Sequence, residues 1–207
     1  MKISVTNHFT LSSPNDVYEQ FQTPVWEIEI HDPVLDTAEF EQEMHDSNNF
    51  AISIEHKVGH SNDNTDRQYL RSVYNGSGVV SKFLAQSQQE FLLELISQSP
   101  CFRTRYHNSL DHYRSRTSWL ATVLRDQPEF KMAPHLDNSH VMAQMIVNLV
   151  QHNTTATEFY YFNETVPCYR APLKKNHGVI FLNTPGSVHG ITNINKTRWT
   201  LSGGLRI

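Results

Sequence analysis

Apolar and polar residues alternate along Val25-Trp26-Glu27-Ile28-Glu29-Ile30, the two-residue period of a half-buried strand. The period then changes. Asp36, with Glu39 in the following turn, reads as a capping box that opens a helix through about Met44. Residues 60–68 carry no apolar side chain and predict an exposed loop. Between Ser81 and Gln98, the residues Phe83, Leu84, Phe91, Leu92, Leu95 and Ile96 recur at helical spacing, and the run stops before Pro100. Such a stripe predicts a packing face rather than a groove for a partner. From Ser118 onward the chain turns to short β-branched and aromatic segments separated by turns. Residues 141–150 are apolar at every odd position and place Gln144 and Asn148 among the even ones. Residues 178–182 form a continuous apolar run, as in a strand covered on both faces.

These elements predict a mainly β chain whose core is a jelly roll, two sheets packed as a sandwich. The core is assigned to residues 118–207, a double-stranded β-helix of cupin-like form, with residues 1–117 as helix and strand support within one domain. Helices 36–44 and 81–98 are expected to brace the outside of the larger sheet. The 207 residues suit one such domain with a sizeable core. A hydrophobic fraction of 38% with 11% aromatics excludes a disordered chain. A formal net charge of −4 tells against the broad basic surface that nucleic acid requires. No apolar run approaches membrane-spanning length, the first residues lack the apolar stretch of a secretion signal, and Cys101 and Cys168 are too few for a disulfide framework. A reducing cytoplasm is therefore the expected location. The Asn-x-Ser/Thr sequons at Asn75, Asn153, Asn163 and Asn195 are expected to go unused. Nothing in the sequence specifies an oligomeric state.

The chemistry concentrates in His135-Leu136-Asp137, followed later by His189 and Arg198. Two imidazoles and one carboxylate can fill one triangular face of an octahedral metal and leave the opposite face open, an arrangement that suits non-haem Fe(II). His189 follows the apolar strand and turn of residues 178–188, so a β framework can bring it to the earlier pair. In a strand, side chains two apart share a face, so Arg198, Thr200 and Ser202 point the same way. A guanidinium with a hydroxyl beside it seats a carboxylate. Metal triad and carboxylate seat together call for a metal-chelating acid as cosubstrate.

Residues 119–206 resemble the 2-oxoglutarate/Fe(II)-dependent dioxygenases, in their prolyl-hydroxylase-like branch. Leu124-Arg125-Asp126-Gln127-Pro128 is similar to the strand and turn before the first ligand, and His135-Leu136-Asp137-Asn138 to the ligand pair with its following Asn. Thr157-Glu158-Phe159 is similar to a later strand start; the 178–182 strand, His189-Gly190 and Arg198-x-Thr200 complete the order. The resemblance implies Fe(II) held by His135, Asp137 and His189, and 2-oxoglutarate whose far carboxylate pairs with Arg198, assisted by Thr200. It implies an enzyme, a dioxygenase that consumes O2 and hydroxylates an unactivated C–H bond of a peptidyl or free amino acid such as proline, or of another small molecule. Succinate and carbon dioxide would leave. Two positions depart from the pattern. The tyrosine that many relatives use to help hold the cosubstrate is absent; Gln144 or Asn148 offers an amide in its place, or both face solvent or a neighbouring strand. Ala156-Thr157 stands where a glycine pair is usual.

Other residues have plainer readings. His140 as a fourth ligand would fill the place that cosubstrate or oxygen needs, so a contact near the mouth or a surface role suits it better. His152 and His177 fall in predicted, solvated turns. Arg103, Arg105, Arg114 and Arg116 read as a solvated face rather than an entrance for an acidic partner. Arg206 follows Arg198 without the intervening asparagine of base-demethylating relatives, which disfavours base repair. Loop 60–68 is either a lid over substrate or idle surface, and Asp137 is expected to have a partner that fixes its orientation. Two other classes stay open. One is a cupin-type isomerase or hydrolase with zinc or manganese as Lewis acid, which needs no dicarboxylate seat. The other is a non-catalytic binding module on the same scaffold.

Overall fold

The alternation at 25–30 belongs to a longer strand, β2 (Thr23–His31), whose Trp26, Ile28 and Ile30 join one apolar cluster while Val25 joins another. A computed structural model describes the chain apart from residues 1, 14–17, 19–20, 53–66, 71–77, 81–87, 107–109, 152–155 and 193–194, and apart from the side chains of Thr104 and Arg105. In the larger of two sheets β2 lies between β1 (Lys2–Leu11) and β10 (His177–Leu182). The sheet continues through β7 (Val141–Asn148), β12 (Arg198–Arg206), β5 (Ser118–Asp126), β4 (Arg67–Leu70) and β3 (Phe50–Ile52). The smaller sheet has the order β6 (Met132–His135), β11 (His189–Ile191), β8 (Glu158–Tyr160), β9 (Pro167–Arg170). Neighbouring strands are antiparallel throughout. Strands β1 to β4 pair into the same sheet as the later strands, so the first part of the chain completes the core's larger sheet as well as supporting it.

The sheets close on each other as the expected jelly roll. Val25, Val179 and Phe181 of the larger sheet pack against Phe159 of the smaller one. The larger sheet's other face is covered by helices, as the apolar stripes predict. Val123, Met145, Val147, Leu201 and Leu205 meet Phe40 and Met44 of α1 (Ala38–His45) and Leu92, Leu93 and Ile96 of α2 (Gln89–Ser97). Phe102 of α3 (Pro100–Arg105) and Tyr113 of α4 (Leu110–Arg114) complete that cluster. Burying a side chain of this size contributes about 1.5–3 kcal/mol each. Trp199 Nε1 also donates to Met44 O at 3.2 Å, fastening α1 to β12. Gly203 is a spatial requirement: a Cβ there would stand 2.0 Å from the Trp119 ring. No helix among the described residues is long and apolar enough to cross a membrane.

Several local expectations are corrected. The first helix begins at Ala38, capped by Thr37, whose Oγ1 accepts from Phe40 N at 3.2 Å. Asp36 instead ends a 3-10 turn, Pro33–Asp36, that Asp32 caps; Pro33 at its start made this earlier entry favourable. The second helix is described from Gln89 and ends at Ser97; its expected first part, 81–87, lies outside the described residues. The strand expected at 141–150 ends at Asn148. The loop expected at 60–68 lies outside the described residues as far as 66, but Arg67 and Gln68 belong to β4, and Arg67 is buried. Polarity implied exposure there; a buried acid partner reverses that inference. His177 is the first residue of β10 rather than a solvated turn residue, with Nδ1 2.9 Å from Lys175 O and Nε2 3.6 Å from Glu29. His152 lies outside the described residues.

Candidate metal centre and anion seat

Two cross-strand rows build the site. The first crosses the smaller sheet. His189, first residue of β11, is the register partner of His135, last residue of β6, and on its other side of Phe159. Residues paired this way present their side chains on one face, and the two imidazole centroids lie 4.5 Å apart. Phe181 meets the His189 ring edge-on at 4.9 Å and Phe159 lies 6.0 Å away, giving this buried histidine an apolar wall. Asp137 lies just beyond the end of β6. Its Oδ1 is 4.0 Å from His135 Nε2, and its Oδ2 is 3.9 Å from His189 Nε2. One ligand atom from each of the three residues falls within 4.8 Å of the others.

Backbone carbonyls set the orientation of both rings. His135 Nδ1 lies 3.1 Å from Ala133 O, and His189 Nδ1 lies 3.0 Å from Ser187 O. A carbonyl only accepts, so each Nδ1 carries the hydrogen and each Nε2 keeps its lone pair toward Asp137. Asp137 Oδ2 is buried without a hydrogen-bond partner among the described residues, so the partner expected to orient this carboxylate is not found there at that oxygen. An unsatisfied buried carboxylate oxygen is costly, and a divalent cation between it and two imidazole lone pairs removes the cost. Bonds of about 2.0–2.2 Å, typical of a divalent metal on these donors, would draw the three side chains closer together. The donor set therefore fits the expected metal.

A buried amide ties the two ligand-bearing loops together. Asn183 Nδ2 donates to Asn138 O at 3.1 Å and to Val141 O at 2.8 Å. Its Oδ1 accepts from Ser187 Oγ at 3.2 Å. The loop after Asp137 is thus fixed relative to Ser187, whose carbonyl orients His189.

The second row crosses the larger sheet. Arg198, Asp126 and Arg67 are register partners on β12, β5 and β4, and all three are buried. Arg67 Nε and Nη2 donate to the two Asp126 oxygens at 2.6 and 2.9 Å. Arg198 Nη1 stands 3.5 Å from Asp126 Oδ2, and its Nη2 donates to Thr157 Oγ1 at 2.9 Å. Arg198 Nε has no partner among the described residues. Two guanidiniums share one carboxylate, which leaves an uncompensated positive charge in a buried place. Burial, with the Arg67 charge beside it and against the pull of Asp126, pushes the Arg198 pKa down to about 10. An arriving anion would act in the opposite sense.

Both rows open onto one cavity of about 440 Å³, lined by His135, Asp137 and His189 and by Arg67 and Arg198. Thr200 and Ser202 also line it, on the face that their spacing from Arg198 predicts. Gln144 lines it too, with Nε2 donating to Ser202 Oγ at 3.0 Å. Asn148 is buried elsewhere: its Nδ2 donates to Pro172 O at 2.6 Å, and it lies outside the cavity wall. His140 is exposed in the turn before β7 and is not among the three metal donors. None of Arg103, Arg114 and Arg116 reaches the cavity wall, and the side chain of Arg105 lies outside what is described. Sequence reasoning missed the partnership of Arg67 and Asp126, the contact from Thr157, and the bracket at Asn183. Strand register brings Arg67 to Asp126, and closure of the sheets brings Thr157 and Asn183 to their partners.

No protein-family model matches the chain, and no curated protein matches it by sequence. Solved structures do match. The chain is similar to a prolyl-4-hydroxylase from Pseudomonas putida, with a TM-score of 0.55 and 13% identity over 88% of this chain and 91% of that one. It is also similar to the non-heme alpha-ketoglutarate-dependent epimerase SnoN from nogalamycin biosynthesis, with a TM-score of 0.51 and 13% identity over 87% of this chain and 76% of that one. The fold of this chain is the fold of those two enzymes, as the sequence resemblance implies.

Proposed function

We propose that this chain is an Fe(II)- and 2-oxoglutarate-dependent dioxygenase that hydroxylates an unactivated C–H bond of an amino-acid-like or other small substrate. One observation carries the reading: a three-donor metal face and a buried, under-compensated guanidinium open onto the same cavity. A cosubstrate that chelates at one end and carries a carboxylate at the other fits that pair. His135, Asp137 and His189 would hold the iron. When bound with 2-oxoglutarate and O2, it supplies the oxidation in which one oxygen atom enters succinate, the other becomes the substrate's hydroxyl, and carbon dioxide leaves.

The chain's own residues bind and orient. Arg198 presents a free Nε–H to the far carboxylate, with the Thr200 hydroxyl on the same strand face. Asp126 and Arg67 hold that guanidinium in place from the neighbouring strands. Gln144 offers the further polar contact that an absent tyrosine would otherwise make. Phe159 and Phe181 keep water from one side of His189. No side chain needs to act as a general acid or base.

Isothermal titration of 2-oxoglutarate into the anaerobic Fe(II)-loaded protein tests the seat. Removing one partner of a buried charge pair costs about 3–5 kcal/mol, so Arg198→Ala should weaken binding by roughly two to three orders of magnitude. Arg198→Lys should fall between, keeping the charge but losing the fork. Succinate release from 2-oxoglutarate in the presence of Fe(II) and O2 tests the chemistry. A metal-binding protein with no affinity for 2-oxoglutarate would be a cupin-type isomerase or hydrolase. One that binds 2-oxoglutarate without releasing succinate would be a binding module.

A further inference from the structure

We propose that the same cavity holds a second anion subsite at Arg206, and that the molecule oxidised is a small acid on an aliphatic frame whose carboxylate sits there. The proposal rests on the cosubstrate reading of Arg198 and names the substrate class for that site. Arg198, Thr200, Ser202, Gly204 and Arg206 occupy one face of β12, and all of them line the cavity. At a rise of about 3.3 Å per residue the backbones of its two arginines stand about 26 Å apart. A single small dicarboxylate cannot bridge that length, so the two ends are separate subsites.

Arg206 is exposed, and its side chain makes no hydrogen bond or ion pair among the described residues. The other two guanidiniums of the cavity wall differ: Arg67 and Arg198 each donate to a named acceptor, whereas Arg103 and Arg116, exposed like Arg206, lie away from that wall. Among the described residues the cavity wall carries three arginines, no lysine and a single carboxylate, Asp137. One guanidinium without a second cation beside it suits a planar monoanion, which it grips as a fork. Between Arg206 and the metal donors the wall carries apolar side chains beside the polar Gln144 and Asn138. Leu120 is the register partner of Gly204, and Val141 that of Arg206; Leu136 sits between the metal donors His135 and Asp137. Leu120 is 53% exposed and Leu136 42%, surface that an aliphatic frame would cover. At about 440 Å³ the cavity falls in the range that takes drug-sized ligands, leaving room beside a small cosubstrate.

Hexanoate and hexanamide serve as probes, titrated into the full chain loaded with Mn(II) and saturating 2-oxoglutarate. A charge-assisted contact should favour the acid by about tenfold. Arg206→Gln should abolish that preference, Arg206→Lys should keep part of it, and 2-oxoglutarate affinity should stay unchanged in both. Equal binding of acid and amide would overturn the proposal, as would an acid preference that survives Arg206→Gln or the absence of saturable hexanoate binding. In an Arg198→Ala background the preference should persist. Absence of 2-oxoglutarate binding in the parent, with the Arg206-dependent preference intact, would strike the cosubstrate reading and leave the subsite standing.

Discussion

Arg67 grips Asp126 through two nitrogens, at 2.6 and 2.9 Å, from a strand that is its immediate neighbour in space and far from it in sequence. Asp126 is fully buried and faces Arg198 on its other side. The row therefore reads positive, negative, positive across three strands. This explains how a guanidinium as buried as Arg198 stays charged and yet retains an appetite for one more anion.

Neutralising the middle of that row should expose its role. In Asp126→Asn, two buried guanidiniums lose their common counter-charge, and breaking a buried pair costs about 3–5 kcal/mol. Urea denaturation should show the loss as a lower midpoint. Saturating 2-oxoglutarate should restore part of it, since an added carboxylate replaces the missing one. A midpoint that does not respond to 2-oxoglutarate in this variant would contradict the shared-charge account.

The metal donors lead to a separate expectation. His135→Ala or His189→Ala should cut metal affinity severely, measured by titrating Co(II) and following its d–d absorption. Far-UV circular dichroism should stay that of the parent, because each ring packs at the cavity rather than in the helix-covered cluster. Asp137→Glu should also weaken binding, since one extra methylene moves the carboxylate off the face it shares. Parent-like Co(II) affinity in either histidine variant would remove that residue from the donor set.

The gathering of His135, Asp137, His189 and Arg198 on one cavity was legible in the sequence because each belongs to a short local signal: a histidine and an aspartate two residues apart, a histidine after an apolar strand and turn, an arginine opening a strand. The jelly roll and its helical cover followed from period and stripe. Arg67 was not legible. It stands next to last in a run of polar residues, and the pattern that implied a solvated loop cannot reveal that a buried Asp126 waits across a strand boundary. Thr157 and Asn183 escaped for a related reason: their partners, Arg198 and the loop after Asp137, come to them only when the sheets close. Gln144 and Asn148 share one strand face by spacing, yet only Gln144 reaches the cavity, because Asn148 has the Pro172 carbonyl to satisfy.

Asn183 acts through other residues and should be read as a positioning group. Asn183→Ala removes a donor from two carbonyls, of which Asn138 O keeps the Val141 N–H, and frees the loop after Asp137. Co(II) affinity should fall while 2-oxoglutarate-independent stability drops by about 1–3 kcal/mol, the range for stranded buried polar groups. Asn183→Asp should be worse than a size-matched change predicts, because an anion cannot donate to Asn138 O and Val141 O. A loss of stability with unaltered Co(II) absorption and affinity would show the bracket to be structural alone.

Acid stability should depend on Glu158. Burial pushes its carboxyl upward, but hydrogen bonds from Thr192, Tyr160 and Arg170, with the Arg170 charge, outweigh burial and hold it below the usual carboxylate range. A carboxyl lowered in the folded state contributes stability that is fully present above its unfolded value, about pH 4.3, and is lost as pH falls through the folded one. Because Arg170 is largely exposed, solvent screening keeps this contribution modest. Glu158→Gln should lower the urea midpoint at pH 7 and shrink the further drop on going from pH 5 to pH 3. Arg170→Gln should do the same more weakly, since two of the three hydrogen bonds remain. If the acid limb of Glu158→Gln keeps the parent's slope, the carboxylate is not linked to folding and the network on β8 stabilises by packing instead.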